Sequence, residues 1–228
     1  MARETTADKA KRALEIIERL DRQMPEANIE LNYKTPLELL VAVILSAQTT
    51  DKGVNKATPA LFAKYRNPAD YAVATPQEIE VFIKTLGLFR NKAKSLVALG
   101  KALLEHHGGQ VPGKRSEIAQ LPGAGLKTAG VVSMHLGTDV AFPVDTHIMR
   151  LANRMGFTTA DNPDDVEDAM RKLVPQKWWF KAHQLIIWHG RRVCDAKAPK
   201  CFDCVVSPLC PRRGVPKKFM QAPEFREK

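Results

Sequence analysis

Lys127 stands two residues beyond a Gly-Ala-Gly turn, in the stretch LPGAGLKTAG that runs from 121 to 130. Gly123 and Gly125 let the backbone take positive φ in a tight hairpin, and without side chains there another backbone can come close. Leu121 anchors the turn in the core, and Pro122 stiffens its entry. The helix that follows offers free N–H groups and its positive dipole end, which together make a phosphate site. A positive helix end disfavours a second positive charge, and any burial adds to that, so the pKa of Lys127 is expected to fall. An amine held that way is a nucleophile near neutral pH. It needs an acid, and FPVDTHIMR supplies Asp145. Asp145 precedes a helical pattern and caps it by accepting backbone hydrogen bonds, which would also fix the carboxylate for chemistry. His147 reads as a hydrogen-bonding partner of the same region. On these residues alone, the hairpin is equally a plain turn and Asp145 a plain cap.

The second group with chemistry is sulfur. Cys194, Cys201, Cys204 and Cys210 are spaced C-x6-C-x2-C-x5-C and are the only cysteines of the 228-residue chain. Structural zinc usually takes two close pairs, whereas here one pair is close and the outer cysteines stand alone. Four thiolates could hold zinc or an iron–sulfur cubane, and ligand chemistry alone leans only slightly to the cubane. Cytosolic thiols stay reduced, which disfavours two disulfides. The loop DAKAPK, pinned at both ends by thiols, would present Lys197 and Lys200 to a phosphate backbone, with Arg191 and Arg192 just before it.

These groups need a scaffold, and the periodicity supplies helices. Leu14, Ile17, Leu20 and Met24 mark a first helix ended by Pro25. TPLELLVAVILSAQ and TPQEIEVFIKTLG each open with a Thr cap, a Pro and a Glu that completes a capping box. The first is apolar nearly all round and reads as buried; the second stops at Gly87. Further helices run from about Asn91 to His106, Ser116 to Gln120 and Lys127 to Leu136. Others lie over DTHIMRLANRMG, over NPDDVEDAMRKLV behind an Asn162 cap, and over WWFKAHQLIIWHGRR. No period-two alternation appears, so the class is all-α with about ten helices. The tail after Pro211 reads as poorly ordered. Net charge is +10, and from Lys181 onward eleven Lys and Arg face four Asp and Glu. Such a surplus suits an acidic partner such as nucleic acid. The polar start MARETTADKAKR and the lack of a membrane-length apolar run lead to the expectation of a soluble, cytoplasmic protein with no membrane partner.

In this order, LPGAGLKTAG, VDTHIMRLANR and the cysteine spacing strongly resemble endonuclease III, a family of bacterial DNA glycosylases of the helix–hairpin–helix superfamily. LSAQTTDKGVN and IKTLGLFRNKAKSL are similar to it as well, so the resemblance runs from about Leu31 to Cys210. It implies a two-domain helix–hairpin–helix glycosylase fold. A six-helix barrel would occupy 29–139, and a discontinuous domain, 1–28 with 140–228, would hold a [4Fe–4S] cluster on Cys194, Cys201, Cys204 and Cys210.

The resemblance also implies a bifunctional glycosylase and AP lyase that removes oxidised pyrimidines from duplex DNA, working as a monomer at the nucleoid. Its substrates would be double-stranded DNA with damaged pyrimidines or abasic sites. Lys127 would be the nucleophile and Asp145 the essential carboxylate. Gln48 would fill the gap left by the flipped base, and Leu88 would wedge between bases. Gly123, Gly125, His147, Arg191, Lys197 and Lys200 would meet the DNA. The roles suit the residues: a base in a duplex must be flipped out to be reached, apolar wedges unstack bases, and an amide both donates and accepts. Position 126 departs from the family, being Leu where close relatives commonly carry a basic residue. The rival readings are a non-catalytic DNA-binding protein with a structural or redox-sensing metal site, and a monofunctional mismatch glycosylase, which usually lacks the lysine.

Overall fold

The computed structural model describes residues 4–139 and 141–221. Among them the chain is all-helical, with no strand. It divides into two compact units, one spanning Glu30–Ala141 and the other formed by the described residues up to Ile29 and from Phe142 onward.

The Glu30–Ala141 unit holds α2 (Pro36–Ser46), α3 (Asp51–Lys64), α4 (Pro68–Val73), α5 (Pro76–Ile83), α6 (Phe89–His107), α7 (Arg115–Ile118) and α8 (Leu126–Leu136). Helix α2 is buried on nearly every face, from Leu37 through Leu45, as its apolar run predicts. Thr35 caps it, but Glu38 reaches past Thr35 to the amide of Lys34, so of the two expected boxes the reciprocal one forms at Thr75 and Glu78 of α5 and not here. Helix α5 ends at Ile83 rather than at Gly87, and the chain passes through a short loop to α6.

Two helices here escape the sequence reading. Helix α3 carries Gly53 in its first turn and Pro59 in its interior, two residues that normally argue against a helix. Its Thr50 cap and buried Val54, Ala57 and Leu61 override them. Helix α4 is six residues long, too short for periodicity to show, yet Asn67 and Asp70 make a full capping box around Pro68. It lies across α6 at Gly100. A Cβ there would come within 2.6 Å of Pro68 O and Ala72 N and 2.8 Å of Tyr71 Cβ. Tyr71 in turn stacks on Tyr65 at 5.1 Å.

The other unit holds α1 (Thr6–Gln23), α9 (Thr146–Arg154), α10 (Pro163–Leu173) and α11 (Trp179–Arg192). Ile16, Ile17 and Leu20 of α1 share one core with Ile148, Leu151, Val166, Met170, Leu185 and Ile186. The buried indoles find partners: Trp179 Nε1 donates to Val174 O and Trp188 Nε1 to Asn28 O, each at 2.7 Å. Arg12 of α1 donates to Met155 O and Leu209 O, which fastens the first helix to the end of α9 and to the cysteine segment.

The expectation of a poorly ordered tail after Pro211 is corrected. Arg213 N bonds Arg154 O, Val215 is buried, and a 3-10 turn spans Lys217–Phe219. A buried valine and the guanidinium of Arg212 on Ser207 hold what composition marked as loose. The rest of that stretch, 222–228, lies outside the described residues, as do 1–3 and position 140.

Gly100→Ala should destabilise the chain. The added methyl meets main-chain atoms that cannot turn aside, an overpacking cost of about 2–3 kcal/mol, against a gain of only about 1 kcal/mol in helix propensity. A urea melt should show a lower midpoint at an unchanged slope.

Candidate nucleic-acid interface and thiol pocket

The hairpin begins where α7 ends. Leu121 N bonds Ile118 O and Ala124 N bonds Leu121 O, each at 3.0 Å, which folds the chain back within four residues. Leu121 is buried. Gly123 has φ +81, and a Cβ on it would meet Ser95 Cβ at 2.9 Å and Ile44 Cγ2 at 3.2 Å. Glycine is thus required twice there, by the left-handed turn and by close packing on α6 and α2. Gly125 is different. Its φ is −95, it is the N-cap residue of α8, and no neighbour lies within 4 Å of a Cβ. The positive φ expected at both glycines is therefore found at Gly123 alone; at Gly125 the absent side chain leaves the helix start open. No side chain caps α8, so its first amides have no capping side chain as partner. Lys127 sits in that first turn and is exposed, and its neighbour Leu126 is 66% exposed.

The helices under the hairpin carry two further predicted residues. Gln48 follows α2 and Leu88 is the N-cap residue of α6. Both are exposed, and both are non-glycine residues in the left-handed region, at φ 53 and 57. Among the described residues only Arg212 shares that state. Each such conformation costs about 1–3 kcal/mol and persists only where its surroundings enforce it. The two tips adjoin: a Cβ on Gly87 would lie 3.3 Å from Gln48 O.

Sequence reasoning missed the residue beneath them, Lys92. It is buried at 6% exposure, and its Nζ donates to Leu45 O and Thr49 Oγ1, each at 2.8 Å. A signal was there: Lys92 falls at the spacing of Leu96, Leu99 and Leu103 on the apolar face of α6.

The other unit places Asp145, His147, Arg191, Lys197 and Lys200. Asp145 caps α9, its Oδ1 accepting Ile148 N at 2.8 Å, and is half-buried. His147 Nδ1 accepts from Arg150 Nη2 at 3.1 Å, since a guanidinium only donates. The same Nη2 reaches Gly190 O and Cys194 O, so α9 is bonded to the end of α11 and to the first cysteine. Arg191 is exposed at the end of α11.

The loop after Cys194 is built on main-chain bonds. Arg154 donates to Asp195 O and Ala196 O, at 2.6 and 2.8 Å. Asp195 Oδ1 accepts Lys197 N and Ala198 N, and these amides hold its carboxyl below the usual range. Lys200 N closes the loop on Val193 O, leaving the side chains of Lys197 and Lys200 exposed.

Cys194, Cys201, Cys204 and Cys210 line one pocket, with Val193, Val206 and Val215 among its apolar walls and Arg154 and Arg212 among its cations. Burial pushes the Cys204 thiol up to about 11 and raises those of Cys201 and Cys210. His189, also buried and pushed down to about 4, sets Nε2 at 3.5 Å from Cys204 Sγ. Among the described residues, no three His, Cys, Asp or Glu side chains gather closely enough to hold a single metal ion.

The cap at Asp145 is separable from any chemistry. Asparagine caps as well as aspartate, so Asp145→Asn should melt within a few tenths of a kcal/mol of the native chain, while Asp145→Ala should lose about 1 kcal/mol. Chemical denaturation of both variants measures the difference.

Comparison with known proteins follows the same lines. The family model described as "HhH-GPD superfamily base excision DNA repair protein" matches residues 41–176. Endonuclease III of Synechocystis sp. strain PCC 6803 is 45% identical over 206 residues, covering 90% of this chain and 94% of the relative. Endonuclease III of Escherichia coli K12 is 42% identical over 206 residues, covering 89% and 96%. A solved trapped endonuclease III–DNA covalent intermediate, the estranged-adenine complex, superposes with TM-score 0.84 at 39% identity, covering 89% of this chain and 96% of that one.

Proposed function

We infer the reaction of this chain from the family to which it belongs, endonuclease III within the HhH-GPD superfamily of base excision DNA repair proteins. It is a base excision repair DNA glycosylase with AP lyase activity, and it binds DNA. Its targets are oxidised pyrimidines of the thymine glycol type in duplex DNA, and abasic sites. It acts as a monomer, in the cytoplasm at the nucleoid; no helix among the described residues is long and apolar enough to cross a membrane.

One observation carries the assignment of roles: an exposed lysine in the first turn of an uncapped helix, directly behind a hairpin of the family's form. The open amides of α8 take a DNA phosphate, with Gly123 and Gly125 letting the strand approach. The exposed cations Arg191, Lys197 and Lys200 take others, and His147 adds a polar contact. The damaged nucleotide is extruded, Leu88 enters the stack and Gln48 fills the vacancy.

Lys127 Nζ, as the free amine, attacks C1′. The N-glycosidic bond breaks, its electron pair leaves with the base, and the base takes up a proton. Asp145, held by its cap, stabilises the positive charge that grows on the sugar and accepts the proton that the lysine sheds. The C1′–O4′ bond then breaks, O4′ takes up a proton, and a protonated imine is left between Nζ and C1′. Loss of a C2′ proton then breaks the C3′–O3′ bond and cuts the strand 3′ to the site. A covalent DNA intermediate is trapped in the related endonuclease III, as an imine route requires.

We further propose that the four thiols hold a [4Fe–4S] cluster. They line one pocket, and four thiolates are the ligand set that such a cluster takes. Thiols that burial holds protonated need bound metal to ionise, and Arg154 and Arg212 offset the anionic product. When bound, the group supplies a cross-link; this chain's own part is the loop that it fixes, with Lys197 and Lys200 outward.

Two outcomes test these readings. Borohydride should trap native chain on thymine glycol duplex. Lys127→Gln should give no adduct, and Asp145→Asn, though stably folded, should excise at least about a hundredfold more slowly. An undiminished adduct from Lys127→Gln removes the nucleophile assignment. Anaerobically purified protein should be brown with iron and sulfide bound, and Cys204→Ser should lose the colour; bound zinc without a visible band would rule the cluster out.

A further inference from the structure

The two strained tips are tied to one residue, Lys92, one through its side chain and the other through its main chain. Gln48 lies between Leu45 and Thr49, and the ammonium of Lys92 binds both of these flanks, at Leu45 O and Thr49 Oγ1. Leu88 is held by the main chain of the same residue, as Lys92 N donates to Leu88 O at 3.0 Å and closes the first turn of α6 on it. A lysine whose flanking positions pack into an apolar face would ordinarily extend to water. This one is buried instead, and burial lowers its pKa. Its hydrogen bonds are what make the buried position tolerable.

Nothing local favours the left-handed state at Gln48 or Leu88. Neither is Gly or Asn, Leu88 makes no side-chain cap, and both are exposed. A tip that relaxed to ordinary φ in the free protein would have to be reordered on DNA, and that ordering would slow extrusion. Holding both tips in advance removes the cost.

We propose that Lys92 is a positioning residue for base extrusion, fastening Gln48 and Leu88 into one wedge formed before DNA binds. The proposal rests on the reading of Gln48 as gap-filler and Leu88 as wedge. Lys92 touches neither substrate nor reacting atoms, so its removal acts on the unstacking step and leaves phosphate binding intact. Its effect also passes through Gln48, so the two losses do not multiply.

The experiment is stopped-flow fluorescence of the full chain mixed with a duplex that carries 2-aminopurine beside thymine glycol, where unstacking raises the signal. Lys92→Met fills the space without donating, and Thr49→Val removes a single acceptor. The rise should slow about tenfold in Lys92→Met and about threefold in Thr49→Val, with unchanged affinity for undamaged duplex. Gln48→Ala and Leu88→Ala should also slow it, and Gln48→Ala with Lys92→Met should be no slower than Gln48→Ala alone.

A folded Lys92→Met with a native rise overturns the proposal, as does a double variant in which the two effects multiply. If Lys92→Met fails to fold, Thr49→Val decides alone, and a native rise in it is the overturning result. Native rises in both Gln48→Ala and Leu88→Ala defeat the reading of the tips themselves, an outcome distinct from failure at Lys92.

Discussion

A cation set against main-chain carbonyls is the interaction on which much of this structure depends. The last turn of a helix leaves carbonyls without amide partners, and these carry the negative end of the helix dipole. Lys92 answers Leu45 O near the end of α2. Arg150 answers Gly190 O near the end of α11, and Arg12 answers Met155 O just past α9. Arg154 spans two carbonyls of the cysteine loop, and Lys181 reaches Pro25 O just beyond α1. Such bonds are charge-assisted, and a guanidinium makes several at once. A carbonyl is not an anion, so the bond itself leaves the charge in place, although Arg12 and Lys181 also pair with Glu4 and Asp21.

Several acids gather amides instead, three of them at helix starts. Asp70 and Glu78 complete capping boxes, Asp145 caps α9, and Asp195 gathers the amides of its own loop. A basic chain can thus be internally satisfied while keeping its excess charge for an outside polyanion. The same arrangement goes with an α8 start that has no acid in its first turn and a thiol pocket with no Asp or Glu in its lining.

Much of this was legible in the sequence, where one residue carries its own signal. Thr75 with Glu78, Asn162 with Pro163 and the all-round apolar run of α2 announce their helices, because caps and burial are local. Helix α3 was not legible, since Pro59 and Gly53 point the wrong way and only packing against neighbours reverses them. The difference between Gly123 and Gly125 was hidden too: both are glycine, but one is wedged against Ser95 and Ile44 while the other meets nothing. The left-handed tips at Gln48 and Leu88 lay beyond reach for the same reason. The flanks of Gln48 are held by Lys92, 47 residues on from Leu45 and 43 from Thr49, and no residue type at the tips themselves records it.

The order of elements along the chain has a consequence for how the protein is made. The Glu30–Ala141 unit is continuous and can fold once its own residues have left the ribosome. Helix α1 cannot settle then, because its core partners in α10 and α11 have yet to be translated, and the Leu209 carbonyl bound by Arg12 comes later still. Closing so long a loop is slow. Until α10 and α11 are made, the first helix is therefore a bare amphipathic segment with Ile16, Ile17 and Leu20 uncovered. Until those partners are made, that apolar face stays open to other apolar surfaces, and the thiol pocket, lined by residues up to Val215, cannot close.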